Sequence, residues 1–166
     1  MEQFLGAHLN AFAAFGGVPG RLIVDNLRSA VLRRHIGEAP VFNPRYLDFA
    51  RHGGFQISAC NVRAAHEKGR VERGVGYVKA NFLNGLELAD LASLNASARL
   101  WLDTVANVRI HGATRRQPVE MYTEEQGKLQ PLNPRPYDIA RVLEVRALRQ
   151  FRVVLETNTY SVPARC

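Results

Sequence analysis

The stretch from His66 to Leu83, HEKGRVERGVGYVKANFL, constrains this chain more than any other. Val71, Val75, Val78 and Phe82 recur at i, i+4, i+7 and i+11, the repeat of an amphipathic helix. Glu72 lies about 100° round from Val71 at ~3.6 residues per turn. Lys68, Glu72, Gly76 and Lys79 therefore share a second, polar face, and Arg70, Arg73 and Tyr77 a third, basic and aromatic one. One reading makes Glu72 a functional carboxylate flanked by cations one and two turns away. The other is a solvated helix with ordinary ion pairs, which for the helix by itself is the commoner case.

The segments around this helix set its context. Phe4, Leu5, His8, Leu9, Phe12 and Phe15 recur near helical spacing and predict a helix over 1–15, stopped by Gly16-Gly17. Leu22-Ile23-Val24 is an apolar run bounded by turn residues, a buried strand. Asp25 follows at its carboxyl end, the edge where open α/β sheets carry their sites. Asp25-Asn26 equally fits a helix N-cap or an Asx-turn. Residues 32–43 read as irregular. Pro44 opens a helix to about residue 52 with Tyr46, Leu47, Phe49 and Ala50 on its buried side. Phe55 to Ala59 alternates as a short strand. Two strands, each leading into a helix, define an α/β sheet with covering helices.

Beyond Asn84-Gly85, a second long helix is expected from about Asp90 to Val108, capped by Asp90 or Ser93. Its core side holds Leu94, Leu100, Trp101 and Val105. The loop after it carries Arg109, Arg115, Arg116, His111 and Thr114 with no acid nearby in sequence. His111 has no second ligand at metal spacing and reads as a hydrogen-bonded loop histidine. Pro118 opens a short helix to about Lys128. Pro131, Pro134 and Pro136 mark an extended linker that a protease would cut first. Strands are expected at Arg141–Val145, Phe151–Leu155 and Tyr160–Val162, the last two separated by a Glu156–Thr159 turn.

Net charge is +7 and the pI about 10.0, which favours a polyanionic partner, above all nucleic acid. Hydrophobic residues reach 46%, enough for a core. No apolar run spans a membrane and no signal peptide is read. Cys60 and Cys166 match no zinc spacing and are expected as free thiols in a reducing cytoplasm.

FGGVPG, VDNLRSAV, FNPRYLDFARHGGF, KGRVERGVGYVKANFL, NVRIHGATRRQPVEMY and TYSVP together resemble the IstA-type transposases of bacterial insertion sequences. The resemblance covers nearly the whole chain, and KGRVERGVGYVK is its most specific piece. It implies part of an RNase H-like integrase (DDE) catalytic core over 1–86, a helical extension over 87–128, the linker 129–137 and an incomplete β unit over 138–166. In that family, three acids at the edge of a mixed five-stranded sheet hold two divalent metals. Asp25 matches the second acid and Glu72 the third. The first lies on an upstream strand with no counterpart here, so the chain is expected to resemble the distal part of a transposase, inactive alone. Ala64-Ala65-His66 departs from the Pro-Gln-type segment usual before the lysine.

The resemblance further implies Mg²⁺ or Mn²⁺ as cofactor, DNA as substrate, self-association, and an IstB-type ATPase helper. Two such metals activate the attacking oxygen and stabilise the leaving one during phosphodiester cleavage and strand transfer. Lys68, Arg70, Arg73 and Lys79, and more distantly Arg109, Arg115 and Arg116, are the candidate DNA-phosphate partners. Each alone is as readily a solubilising surface charge. A second class of function is a non-catalytic DNA-binding or dimerising module that modulates an intact transposase. A third is a remnant that does not fold stably.

Overall fold

The computed structural model describes residues 1–61, 65–87, 90–140 and 143–163, and no side chain of 65–68 or 70. The chain divides into two compact units between Tyr137 and Asp138. In the first, α1 (Glu2–Phe15) leads to β1 (Arg21–Val24), β2 (Val31–Arg33), β3 (Val41–Phe42), α2 (Pro44–Gly53) and β4 (Gln56–Ala59). Then come α3 (Ala65–Val78), α4 (Leu91–Trp101) and α5 (Pro118–Gln126). The two long helices each loosen into one π-helical turn at their ends, Lys79–Leu83 and Leu102–Ala106. The architecture is mixed α/β with small sheets, as the alternation of strands and helices predicts.

An aromatic clasp between α1 and α2 forms the core. Phe4, His8 and Phe12 stand one turn apart on α1 and meet Tyr46 and Phe49 of α2, with Phe55 closing the end. Leu5, Phe12, Tyr46, Phe49 and Phe55 are buried. The polar ring inside the clasp, His8, has a partner on each nitrogen. A carbonyl only accepts, so His8 Nδ1–H donates to Phe4 O at 2.8 Å. Its Nε2 pairs with the Tyr46 hydroxyl at 3.1 Å. Burial pushes the Tyr46 phenol up to about 12, so it stays a donor. α1 ends at Gly16 (φ 63), whose left-handed backbone costs a glycine little. α2 starts at Asn43, whose side chain accepts from Arg45 N–H at 3.0 Å, and at Pro44.

β1 and β4 pair in parallel, Arg21 opposite Gln56 through Val24 opposite Ala59. The segment expected as irregular, 32–43, instead belongs almost wholly to an antiparallel hairpin with a bulge, Val31 opposite Phe42 and Arg33 opposite Val41. Its strands are too short to show alternation, and Gly37 (φ 83) and Pro40 occupy its loop.

Two other expectations need correction. The valine stripe of α3 does not face a core: Val71 is 69% exposed, and Val75 and Val78 are exposed too. Of that stripe Phe82 does pack, and it holds the helix end together with Tyr77: the rings of Tyr77 and Phe82 lie 5.4 and 5.3 Å from Trp101 of α4. Leu100 and Val105, expected on the core side of α4, are likewise exposed. Asp90 does cap α4, accepting from Ser93 N–H at 2.7 Å, a bond that holds its carboxyl below the usual range.

The stretch 129–137 is extended, as its prolines require, but it is bound to the first unit and is not a free linker. Val18 and Gln130 exchange two backbone bonds of 2.8 Å. The crossing is so close that a Cβ at Gly17 would stand 2.7 Å from Leu129 Cβ. Further along, Asn133 Nδ2 donates to His52 O, His52 Nε2–H to Arg135 O, and the Tyr137 hydroxyl to Asp48. These partners are remote in sequence, so no local pattern announces them. Trypsin is therefore expected to cut first at Arg146 or Arg149, in a stretch without regular structure, ahead of Lys128. A first cut at Lys128, read by mass spectrometry of early fragments, would return this stretch to a loose linker.

The second unit contains a hairpin of β5 (Arg152–Leu155) and β6 (Asn158–Ser161). The turn is tighter than the sequence implies: it reverses at Glu156 (φ 55), and Asn158 and Thr159 already belong to β6. Of the expected strand Arg141–Val145, residues 143–145 are described and are not a strand. Cys166 lies outside the described residues.

Candidate functional site

Asp25 leaves β1 at the carboxyl end of the parallel pair and is exposed there. No helix follows it, so it is not an N-cap. Its Oδ1 accepts from the adjacent Asn26 N–H at 2.6 Å. Asn26 Nδ2 reaches Cys60 O at 3.5 Å, and Cys60 N–H donates to Val24 O at 3.0 Å. The strand ends are thus tied together directly behind the carboxylate. Cys60, at the end of β4, is a buried free thiol.

Glu72 lies in the middle of α3 and is exposed. Asp25 and Glu72 therefore present two carboxylates from two different elements. Among the described residues, no three His, Cys, Asp or Glu side chains gather so as to hold a metal ion.

The candidate cations fare unequally. Lys68 and Arg70 have side chains outside the described set. Arg73 is exposed, its Nε donating back to Gly69 O at 2.9 Å along its own helix, and Lys79 is exposed in the π turn. Arg109 lies over the Tyr77 ring at 4.0 Å and donates to Ala106 O, a packed cation–π position. Arg115 is exposed in a left-handed conformation (φ 56). Arg116 does have an acid: its Nη1 donates to Glu124 Oε2 at 3.1 Å and its Nη2 to Oε1. That fork holds the Glu124 carboxyl below its ordinary range and the Arg116 guanidinium above its own. The partner comes from α5, two turns beyond the loop. His111 receives Thr114 N–H on Nδ1 at 3.4 Å, the loop-histidine role its isolation implies.

One group at the Asp25 end was not singled out by sequence. Arg34, on the residue after β2, reaches across to Asn61 Oδ1 with Nη2 at 3.1 Å. The only local signal was three arginines within residues 28–34.

Nearly the whole chain is similar in sequence to known proteins. The chain is 34% identical over 98% of its length to a "Transposase for insertion sequence element IS21-like" of Bacteroides fragilis, covering 31% of that protein. It is 34% identical over 93% of its length to the "Transposase for insertion sequence element IS21" of Pseudomonas aeruginosa, covering 40% of it. A "Transposase for insertion sequences IS1326/IS1353" of the same species is 31% identical over 98% of the chain, with 32% of that protein covered. Residues 132–166 also match the family described as Mu transposase, C-terminal domain. Over the residues it spans, the chain is similar to the transposases of insertion sequences. Two of these relatives are named for IS21 or IS21-like elements. It spans about a third of the length of these relatives.

Proposed function

We propose that this chain is a DNA-handling portion of an insertion-sequence transposase and contributes two acids to its catalytic site. The observation that carries the reading is homology to transposases along nearly the whole chain, including the segments that hold Asp25 and Glu72. Residues 1–86 are assigned to part of an RNase H-like integrase core, 87–128 to its helical extension and 138–166 to a β unit. The parallel β1–β4 pair, with an exposed carboxylate at its carboxyl end, supports that assignment.

Asp25 and Glu72 are hard oxygen donors of the kind Mg²⁺ or Mn²⁺ takes. When bound, such a metal pair activates an attacking oxygen and stabilises a leaving one. Two acids fall short of the ligand set that this chemistry uses, so the chain is assigned the binding role and not the complete reaction. Self-association and an IstB-type ATPase helper complete the reading. No described helix is long and apolar enough to cross a membrane.

The cations expected to meet DNA phosphates are Lys68, Arg70, Arg73, Lys79 and Arg115, with Arg109 and Arg116 reduced by the partners they already have. Four or more neutralised phosphates predict an affinity loss on the order of a hundredfold or more between 50 and 200 mM salt, with little sequence preference. Titration of a labelled duplex at those two salt concentrations tests this. Salt-insensitive binding, or strong selection between unrelated duplexes, would overturn it.

A further inference from the structure

We propose that Arg34 is a phosphate-positioning residue beside Asp25, resting on the DNA-handling reading above. The hairpin β2–β3 carries its guanidinium to the carboxyl end of the parallel pair. There Nη2 donates to Asn61 Oδ1 at 3.1 Å and Nη1 to Glu38 O at 2.5 Å. Asn61 follows Cys60, whose backbone is bonded to Val24 and to the Asn26 side chain. The guanidinium is thereby tied to the same strand ends that present Asp25.

Three properties make this cation a receiver of an anion. First, its plane is fixed from both sides before any ligand arrives, which reduces the ordering cost of binding. Second, both partners are neutral, an amide oxygen and a backbone carbonyl, so its charge is not spent on a carboxylate among the described residues. Arg116, by contrast, is forked onto Glu124. Third, Arg34 Nε is buried and has no acceptor among the described residues. A half-buried guanidinium in that state has lost hydration without gaining a counter-charge. The remaining N–H groups of Nη1 and Nη2 form a planar set suited to phosphate oxygens. Arg28 and Arg33, both exposed on the same short segment, make the surroundings basic. The anion that fits is a backbone phosphate of the DNA strand approaching Asp25, which Arg34 would hold in register with the carboxylate.

The test compares the full chain with Arg34→Gln in duplex titrations over a salt series. The variant is expected to bind about five- to tenfold more weakly at 0.1 M salt, with the salt slope reduced by about one. Equal affinity and slope in a folded variant would overturn the proposal and leave the DNA-handling reading standing. Absence of salt-dependent binding by the unaltered chain would sink that reading itself, and this proposal with it. Circular dichroism reports whether Arg34→Gln folds. If it does not, the unaltered chain decides, through phenylglyoxal modification read by mass spectrometry with and without duplex. Loss of the Arg34 adduct on adding DNA supports the assignment. An unchanged Arg34 adduct while other arginines are protected overturns it.

Discussion

Incubated with duplex DNA and Mg²⁺ or Mn²⁺, this chain on its own is expected to leave the strands uncut and unjoined. Two-metal phosphodiester chemistry takes ligands from several acids, and losing one metal removes either activation of the attacker or stabilisation of the leaving oxygen. The cost is orders of magnitude in rate. Asp25 and Glu72 are two acids, and the described residues gather no group of three. Three other carboxylates have partners elsewhere. Asp48 accepts from Tyr137, Asp90 caps α4 and Glu124 is forked onto Arg116. A nicking and strand-transfer assay on the chain and its Glu72→Gln variant decides the matter. Metal-dependent cleavage that disappears in the variant would show a complete site and defeat the expectation.

Phe49→Ala is expected to cost the first unit about 3–5 kcal/mol, the range for deleting a buried Phe. Total stabilities run to about 5–15 kcal/mol, so the loss takes a large share of what holds this unit. Phe49 is 1% exposed and touches both sides of the clasp. Its ring lies 6.1 Å from Phe12, 5.6 Å from Phe55 and 5.0 Å from Tyr137. The last contact also holds down the end of the 129–137 stretch, so that stretch should loosen as well. Urea unfolding followed by circular dichroism measures the first effect, and tryptic cutting at Lys128 measures the second. A change below about 1 kcal/mol would mean the cavity collapses and the clasp is not the core.

The parts of this fold that were legible are those written in local pattern. Helical spacing of Phe4, His8 and Phe12, and Pro44 at a helix start, each specify an element by themselves; the run Leu22–Val24 specifies its strand but not the burial expected of it, since Ile23 is 70% exposed. Asp25 at a strand's carboxyl end and Glu72 on a helix followed from the same reading. What local pattern does not contain is the choice of partner. The valines of α3 repeat as a buried stripe would, yet of that stripe it is Phe82, joined by Tyr77 from the basic and aromatic face, that packs on Trp101. Arg116 found an acid on the next helix, and the proline-rich stretch found Val18 and His52. The hairpin of residues 31–42 has too few residues to show a period, and with it Arg34 went unread.

The parallel pairing of β1 and β4 bears on the order in which the chain assembles. A parallel pair is not made by a tight turn and needs a long crossover. Here the crossover runs through the hairpin and α2. Closing so long a loop for a few strand bonds is entropically costly by itself. The aromatic clasp removes most of that cost, because once α2 sits against α1 the ends of β1 and β4 are already neighbours. Gln56 N–H bonding to Gly20 O at 3.0 Å is then the first link of a zipper that runs toward Cys60. On this order Asp25, at the far end of that zipper, is set in place only after the rings of the clasp have met.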